Sequence, residues 1–447
     1  MHDYTPRRIV PATLNRLKGT SMAATMQPTP SSASPRQSRP RGFGRTANVL
    51  LTYTLAKGLQ MALYALIFPL YLYHLGYKQD TIGLVTALGA MTTLVGAVPL
   101  GLLADRVGRA RLFVFSAALT PFPYLAIAFT SSLTVIIPGV MIANFLATVY
   151  WSMNAPLLVG AVRPEDRVRV FAANSFLLMG VGALGSVIGG TIPVIAGHLL
   201  HEPSGATMPL RIALSGTAVI SAIGAIPLLG IRAVDGAPEG RTRAWRFRKS
   251  DLRLFSKLLC ADALQAFGAG AVIGFLPLFF ALRYGLSAGV LGILFTTTGI
   301  LSGVASLAAP MLARRLGDLR ALITAQALIA PAILFTALAP FVWLAILFEV
   351  CRTGLRGTVD PIYTPFAMTR VPARQRGALG GLYNVTWATG FSLGPLLSGA
   401  IQVRAGFGPA FTMSAACYAV AAATMFLFFR DSSAIADEQE REMPVAA

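Results

Sequence analysis

Charged side chains are scarce in this chain of 447 residues, in which Asp, Glu, Lys and Arg together make up 12%. Soluble domains have about 25% charged residues, so this composition excludes an ordinary water-facing surface. Acidic residues are the scarcer sign, with 18 Asp and Glu against 37 Lys and Arg. The surplus positive charge lies in short links between apolar runs. It therefore indicates a membrane topology and argues against a nucleic-acid partner.

Cysteine and histidine are also scarce. The three cysteines, Cys260, Cys351 and Cys417, fall inside apolar runs, which predicts packing residues and excludes a disulfide framework. His198 and His201 are the only histidines close in sequence, and they lie in a predicted loop. No Walker phosphate-binding motif occurs, so ATP does not drive the protein directly. We expect no metal, no cofactor and no enzyme activity.

Long uncharged runs are abundant, and each has roughly the 20 residues that a helix needs to cross a bilayer. They lack two-residue alternation, so they predict helices and not barrel strands. The fold class predicted is an all-α integral membrane protein with twelve transmembrane helices. Numbered as spans 1 to 12, their predicted cores are 47–73, 81–104, 111–130, 133–161, 170–198, 209–231, 254–282, 287–312, 319–339, 341–367, 376–402 and 408–429.

The distribution of Lys and Arg predicts the domains and the orientation. Segments on the side of the termini hold 29 of them (8, 3, 3, 7, 3, 3 and 2 in chain order), and the opposite links hold four. Both termini should therefore be cytoplasmic, in the cytoplasmic membrane. The 1–45 tail has no apolar signal-peptide region, and Met22 and Met26 are alternative starts to Met1. The expected domains are a disordered basic tail 1–45, a six-helix bundle 46–231, a basic linker 232–253, a second six-helix bundle 254–430 and an acidic tail 431–447.

A short polar hairpin, residues 101–111 with the sequence GLLADRVGRAR, separates spans 2 and 3. Gly108 permits the chain to reverse, because without a Cβ it adopts positive φ readily. The hairpin resembles the loop between helices two and three of the major facilitator superfamily, G-x-L-[AS]-D-R-x-G-R-[KR]. The alternative is an ordinary basic turn at a membrane face. The residues that match this gating motif are Gly101, Asp105, Arg106, Gly108, Arg109 and Arg111.

The sequence repeats itself weakly at an offset of 209 residues (310 − 101). Residues 310–320 keep Gly317 at the place of Gly108 but have Arg314 at the place of Asp105. Parallel repeats of this kind are a property of the facilitator fold, which consists of two pseudo-symmetric six-helix bundles.

The resemblance implies a secondary transporter that works by alternating access. Spans 1, 4, 7 and 10 would line a central cavity, and Asp105 would latch the cytoplasmic side. We expect proton-coupled efflux (antiport) by a monomer whose partners are a small-molecule solute, protons and the lipid bilayer. Proton-coupled uptake (symport) of a polar solute such as a sugar or organic acid is the alternative. A non-transporting sensor or scaffold is a second alternative.

Charges inside spans are costly and are functional candidates by default. Span 10 has Glu349, Arg352, Arg356 and Asp360 at spacings of 3, 4 and 4, on one helical stripe. Adjacent opposite charges on this stripe are expected to pair. The pairs are either a structural ladder or part of the substrate and proton site.

Span 7 supplies Asp262, the expected proton-coupling residue. Burial favours the neutral form of a carboxyl, and a nearby cation favours the carboxylate, so we expect Lys57 or Arg352 to balance its charge. The alternatives are a static lock between Asp262 and Lys57 or Lys257, and a Lys57 that snorkels to the cytoplasmic surface. Further polar and aromatic cavity candidates are Tyr53 and Gln60 in span 1, Asn144, Trp151 and Asn154 in span 4, Gln265 in span 7, and Tyr383 and Trp387 in span 11.

Two glycine-rich runs resemble the G-x-x-x-G-P-x-x-G-G motif of proton-coupled drug exporters in this superfamily. Span 5 departs from that motif, because Ser186 stands where those exporters have proline. Small residues permit close helix packing, and Pro395 should bend its helix. The predicted helix-bending residues are Gly185, Gly189 and Gly190 in span 5, and Gly390, Gly394 and Pro395 in span 11.

Overall fold

All twelve predicted spans are helical in the computed structural model of the chain, which describes residues 43–230, 249–371 and 375–442. The predictions for the tail up to residue 42, for most of the 232–253 linker and for residues 443–447 lie outside these residues. Eight spans are single helices. They are Arg45–His74 (span 1), Gln79–Val107 (2), Leu133–Ala161 (4), Ala288–Leu316 (8), Asp318–Leu338 (9), Val342–Thr369 (10), Arg376–Ala405 (11) and Phe407–Glu442 (12).

The other four spans are divided. Span 3 consists of Arg109–Leu119 and Pro121–Ala128, span 6 of Thr207–Ala225 and the 3-10 turn Ile226–Gly230, and span 7 of Lys249–Ile273 and Leu276–Tyr284. Span 5 follows a 3-10 turn, Pro164–Asp166, and consists of Arg167–Ser175, a π-helical turn Phe176–Val181 and Leu184–Leu200.

Ten of the spans are long and apolar enough to cross a membrane on length and composition alone, within the part of the chain that the structure describes. Spans 10 and 11 are the exceptions. Span 10 falls short because its four charged residues lie in the middle of an otherwise apolar helix. A polar helix at this depth requires protein partners or a water-filled cavity around it.

The reversal predicted at Gly108 is confirmed, and the repeated position Gly317 makes the same kind of turn. Gly108 has φ 97° between spans 2 and 3, and Gly317 has φ 78° between spans 8 and 9. Each glycine ends one helix and begins the next. The two halves therefore repeat this turn at equivalent positions, although only the first copy has the acidic residue.

Consecutive spans run in opposite directions, so the molecule has two ends. We call the end with Arg45, Gly108 and Gly317 the termini end, and the end with His74 and Ala405 the distal end. At the distal end, span 2 packs against span 11 and span 5 against span 8.

Four glycines make these two seams possible. A Cβ on Gly83 would collide with the carbonyl oxygen of Pro395, and one on Gly399 with that of Gln79. In the other seam, Gly292 approaches the carbonyl of Ser186, and Gly190 that of Ala288. Every residue in the first seam has its counterpart in the second at the 209-residue offset. The seams are thus two copies of one backbone contact.

Hydrogen bonds accompany the seams. Ser392 Oγ donates to the carbonyl of Ala87 at 3.1 Å, and Thr296 Oγ1 donates to the carbonyl of Ala183 at 2.8 Å. Toward the termini end, by contrast, a Cβ on Gly101 or Gly381 would meet open space. The described conformation is therefore closed at the distal end.

The close packing predicted for the glycines of spans 5 and 11 is confirmed. Gly185 and Gly189 contact span 1 closely, and Gly390 and Gly394 contact span 7 in the same way. The helix Arg376–Ala405 continues through Pro395, and the irregular part of span 5 is the earlier π turn. The glycines serve close backbone packing. The prediction that all three cysteines are packing residues is wrong for Cys260 and Cys351, which are exposed.

Candidate substrate and proton site

Asp262 is a buried carboxyl in span 7 with a side chain that is only half satisfied. The residue is 2% exposed. Trp387 in span 11 donates its indole Nε1–H to Oδ1 at 3.1 Å, while Oδ2 has no hydrogen-bond partner. A buried polar atom without a partner is costly and calls for an explanation such as a proton or a ligand.

A cation stacks on the indole that binds Asp262. The Arg356 guanidinium lies 4.8 Å from the centroid of the Trp387 ring, and its Nη1 donates to Asp360 Oδ1 at 2.8 Å. The predicted pairing of Arg356 with Asp360 is thus confirmed. The Asp360 side chain is 56% exposed, whereas that of Arg356 is 15% exposed, so this pair joins the buried site to a wetter region.

Glu349 and Arg352 also form their predicted pair. Arg352 Nε donates to Glu349 Oε2 at 2.7 Å, and its Nη2 donates to Oε1. Thr353 adds a third hydrogen bond to the same carboxylate at 3.1 Å. Because this bidentate ion pair already neutralises Arg352, the prediction that Arg352 balances the charge of Asp262 is wrong for this conformation.

Lys57 is the buried cation of span 1, and it also stays away from Asp262. The residue is 4% exposed, and its Nζ donates to Gln60 Oε1 at 2.8 Å. Among the described residues, no carboxylate lies within ion-pair distance of it. Snorkelling and an Asp262 lock are therefore both wrong here. Lys257 is not the lock either, because its ammonium lies 5.6 Å from the Phe428 ring centroid.

Neutral polar groups link spans 1, 4 and 5 beside Lys57. Asn174 Oδ1 accepts hydrogen bonds from Thr54 Oγ1 at 2.8 Å and from Asn154 Nδ2 at 2.9 Å. Tyr150 joins the network through Thr54 at 3.4 Å and stands edge-on to Tyr53, with ring centroids 5.9 Å apart. Sequence reasoning missed Thr54, although its position three residues before Lys57 places it on the same helical face.

The equivalent region of the C-terminal half is aromatic. Tyr363 and Tyr383 stack with centroids 5.9 Å apart, and Trp387 continues the row to Phe391 at 5.7 Å. Tyr363 and Tyr383 lie 209 residues after Asn154 and Asn174. An amide pair in one half thus corresponds to an aromatic pair in the other.

Three cavity candidates have other surroundings. Asn144 donates to the Val140 carbonyl of its own helix and packs against Gly89 of span 2, which corrects its assignment to the cavity. Trp151 is 49% exposed and stands edge-on to Tyr150. Gln265 is buried about one turn after Asp262.

Span 1 and span 5 approach each other closely next to Lys57. A Cβ on Gly58 would collide with the carbonyl of Leu178 in the π turn, and one on Gly182 would come within 2.7 Å of the Gly58 Cα. π turns occur often at functional sites. The sequence analysis did not predict this contact between span 1 and the π turn. Gly58, which directly follows Lys57, was the available signal for a close approach of two helices.

The gating motif lies apart from this cluster. Asp105 is 67% exposed at its side chain and forms an ion pair with Arg109 at 3.6 Å, and Arg106 and Arg111 are exposed. The Asp105 carboxylate thus bonds within its own hairpin in a conformation that is closed at the distal end.

Solved structures with the same fold are transporters. A bacterial homologue of the human lysosomal transporter Spinster, in an inward-facing and unoccupied conformation, aligns with a TM-score of 0.71 at 15% identity, covering 86% of this chain and 97% of its own. The nucleoside transporter NupG has a TM-score of 0.64 at 16% identity (86% and 99% covered). The human organic anion transporter MFSD10 has 0.58 at 16% identity (85% and 99%). Identities this low show the fold alone.

The sequence comparison is more specific. A search among curated proteins finds no match. The family model of the Major Facilitator Superfamily, however, matches residues 50–395 and again residues 258–446. Because this match covers most of the chain, the chain belongs to the Major Facilitator Superfamily of secondary transporters.

Proposed function

We propose that this chain exports a small organic solute in exchange for protons, and that Asp262 is the proton site. The observation that supports this most directly is the carboxyl itself. One of its oxygens accepts from Trp387, and the other is buried without a partner. A carboxyl in this environment gains from a proton on the free oxygen, because protonation removes a buried negative charge.

The Trp387 contact offers a route from protonation to conformational change. A carboxylate holds the indole N–H by a charge-assisted hydrogen bond, which weakens when the carboxyl becomes neutral. Trp387 lies in span 11, and the same helix forms the distal seam further along through Ser392 and Pro395. Loading Asp262 with a proton therefore changes a contact on the helix that must move when the distal end opens.

The chemistry around the site favours a partly apolar solute. The row Tyr363, Tyr383, Trp387 and Phe391 supplies aromatic surface, and the amide and hydroxyl groups of spans 1, 4 and 5 supply hydrogen bonds. The printed names of two structural neighbours, a nucleoside transporter and an organic anion transporter, are consistent with small organic solutes of this kind.

Transport into proteoliposomes with an imposed pH gradient tests this proposal. Wild-type protein should concentrate one of a panel of radiolabelled organic solutes, and the sign of the gradient that drives accumulation distinguishes exchange from co-transport. Asp262→Asn should abolish gradient-driven accumulation while solute exchange at equal pH survives. Glu165→Gln, which changes an exposed carboxyl in the link before span 5, is the matched control and should behave as wild type.

Two results would contradict the proposal. Normal accumulation with an unchanged pH dependence in Asp262→Asn would make this residue structural. Failure of the wild-type protein to move any solute of the panel would favour a sensor or scaffold over a transporter.

We also propose that both termini are cytoplasmic, on the basis of the Lys and Arg distribution. The distal end would then face outward, and the described conformation would be inward-facing. Reporter proteins fused after Ala447 and within residues 232–253 should both report cytoplasm, and an external signal from either fusion would overturn the orientation.

A further inference from the structure

The proton site leaves Lys57 unexplained, because this buried ammonium has no counter-ion among the residues that the structure describes. The residue is 4% exposed in the middle of span 1. Buried charges in proteins are normally paired, because an isolated charge in a low-dielectric interior is strongly disfavoured. Its one hydrogen bond is to the neutral amide oxygen of Gln60.

The three acids inside spans 7 and 10 do not neutralise it in this conformation. Glu349 is held by Arg352, and Asp360 is held by Arg356. Asp262 accepts from Trp387 and makes no ion pair with Lys57. Each buried cation of span 10 thus has a carboxylate of its own, and the cation of span 1 has none.

We infer that the missing counter-ion is the anionic group of the transported solute, which is therefore an organic carboxylate that binds at Lys57 and Gln60. An ammonium has three N–H donors, and Gln60 engages one of them, so two remain for carboxylate oxygens. The surrounding hydroxyl and amide groups, Thr54, Asn154 and Asn174, are all neutral. They do not compete for the cation as a protein carboxylate would.

Gln60 sets the geometry of this site. It lies one helical turn after Lys57 and accepts a hydrogen bond from its Nζ at 2.8 Å. The lysine side chain is thereby fixed beside the π turn of span 5, where Gly58 and Gly182 permit the close approach of the two backbones. A fixed cation loses less entropy when it binds an anion than a mobile one does.

This inference rests on the proposed transport function but is tested by binding, without flux or a pH gradient. The probe is 2-naphthoate, with 2-naphthamide as its neutral isostere, added to the purified full-length protein in detergent. Melting temperature and tryptophan fluorescence report binding. Naphthoate should raise the melting temperature, and naphthamide should bind at least tenfold more weakly. Lys57→Gln, which keeps a hydrogen-bonding side chain, should lose at least tenfold in naphthoate affinity.

Gln60→Glu is a second variant, which tests the site by adding a charged group and not by removing one. It places a carboxylate where Gln60 Oε1 now accepts from Lys57, so the protein itself supplies the counter-ion. The melting temperature without probe should rise, and naphthoate affinity should fall at least tenfold. Gln402→Glu makes the same change at a buried glutamine near the distal end of span 11, and should alter naphthoate affinity less than threefold.

The inference is overturned by equal binding of naphthoate and naphthamide, by wild-type naphthoate affinity in Lys57→Gln or Gln60→Glu, or by no naphthoate binding to the wild-type protein. These results are distinguishable from failure of the proposed function. If Asp262→Asn retains gradient-driven transport, the proton-site proposal is wrong but carboxylate binding at Lys57 is unaffected. If the wild-type protein does not bind naphthoate, the carboxylate inference is wrong but Asp262 can still be the proton site.

Discussion

The two halves of the molecule place buried charge in opposite ways. In the N-terminal half a single cation, Lys57, lies among neutral amides, hydroxyls and tyrosines. In the C-terminal half buried charges are paired along span 10, and Asp262 stands beside an aromatic row. Yet the backbone contacts between the halves are copies of one another. The repeat has therefore kept its packing and diverged in its chemistry.

The contrast between conserved packing and divergent chemistry shows that the backbone contacts constrain both halves of the molecule in the same way. Gly83 and Gly292 permit the same backbone approach in both seams, and any side chain there would collide with a carbonyl oxygen. The Asn154–Asn174 pair and the Tyr363–Tyr383 pair only need to touch across spans. A contact between side chains can change its chemistry without moving the helices, whereas a contact between backbones cannot.

Glu349→Gln should have the largest effect on stability. It leaves the Arg352 guanidinium buried without a counter-ion, which typically costs about 3–5 kcal/mol. Thermal unfolding of the purified protein in detergent should show a much lower melting temperature, and Glu349→Gln combined with Arg352→Gln should recover part of the loss. An unchanged melting temperature for the single variant would contradict the contrast between the halves.

A side chain at the glycine seams should come next. Gly292→Leu places a large group against the Ser186 carbonyl and should disfavour the distal-closed state by about 1–3 kcal/mol, which is roughly fivefold to 150-fold in population. Spin labels at positions 78 and 404, in a background without the native cysteines, should move apart. Gly381→Leu, where a Cβ meets open space, is the control, and the same distance change in both variants would exclude a specific seam.

Lys57→Met should change stability little and in the stabilising direction, by at most about 1 kcal/mol. The reason is that it removes a buried charge that has no carboxylate partner, and it leaves only the neutral amide oxygen of Gln60 without its donor. This outcome is opposite in sign to that of Glu349→Gln and is measured in the same thermal unfolding experiment. A loss as large as that of Glu349→Gln would show that a hidden counter-ion exists in the unliganded protein.

Asp105→Asn should have the smallest effect on stability, under about 1 kcal/mol, because its ion pair with Arg109 is exposed. Transport should nevertheless fall strongly, while solute binding remains, since Asp105 would act on the equilibrium between conformations. Arg314→Asp, at the equivalent position of the second half, is the comparison and should change transport less. A wild-type rate in Asp105→Asn would remove the latch role.

Features set by spacing along one helix could be predicted from the sequence. The twelve spans follow from apolar length, the Glu349–Arg352 and Arg356–Asp360 pairs from spacings of 3 and 4, and the Gly108 turn from the conformational freedom of glycine. These arguments need no knowledge of how the helices are rotated.

Contacts between helices could not be predicted in the same way. Asp262 accepts a hydrogen bond from Trp387, which lies 125 residues later in the chain. The sequence analysis had instead paired it with Lys57 or Arg352, because of their positions within the spans. Asn144 faces span 2, and the helices that the glycines of spans 5 and 11 pack against, spans 1 and 7, were not predicted. Each error concerns the direction in which a helix face points, which depends on neighbouring helices. The π turn adds a local shift in that direction that no periodic pattern anticipates.

The symmetry of the two seams has a consequence for how this architecture assembles. A six-helix unit with glycines at the places of Gly83 and Gly190 contains both sides of a self-complementary interface, because its second span fits the fifth span of another copy. Two identical units would bury both contacts at once around a two-fold axis, as an isologous dimer does. The protein is in this sense a dimer whose subunits share one polypeptide. Its halves, produced as separate chains, are therefore expected to recognise each other in the bilayer without a covalent connection.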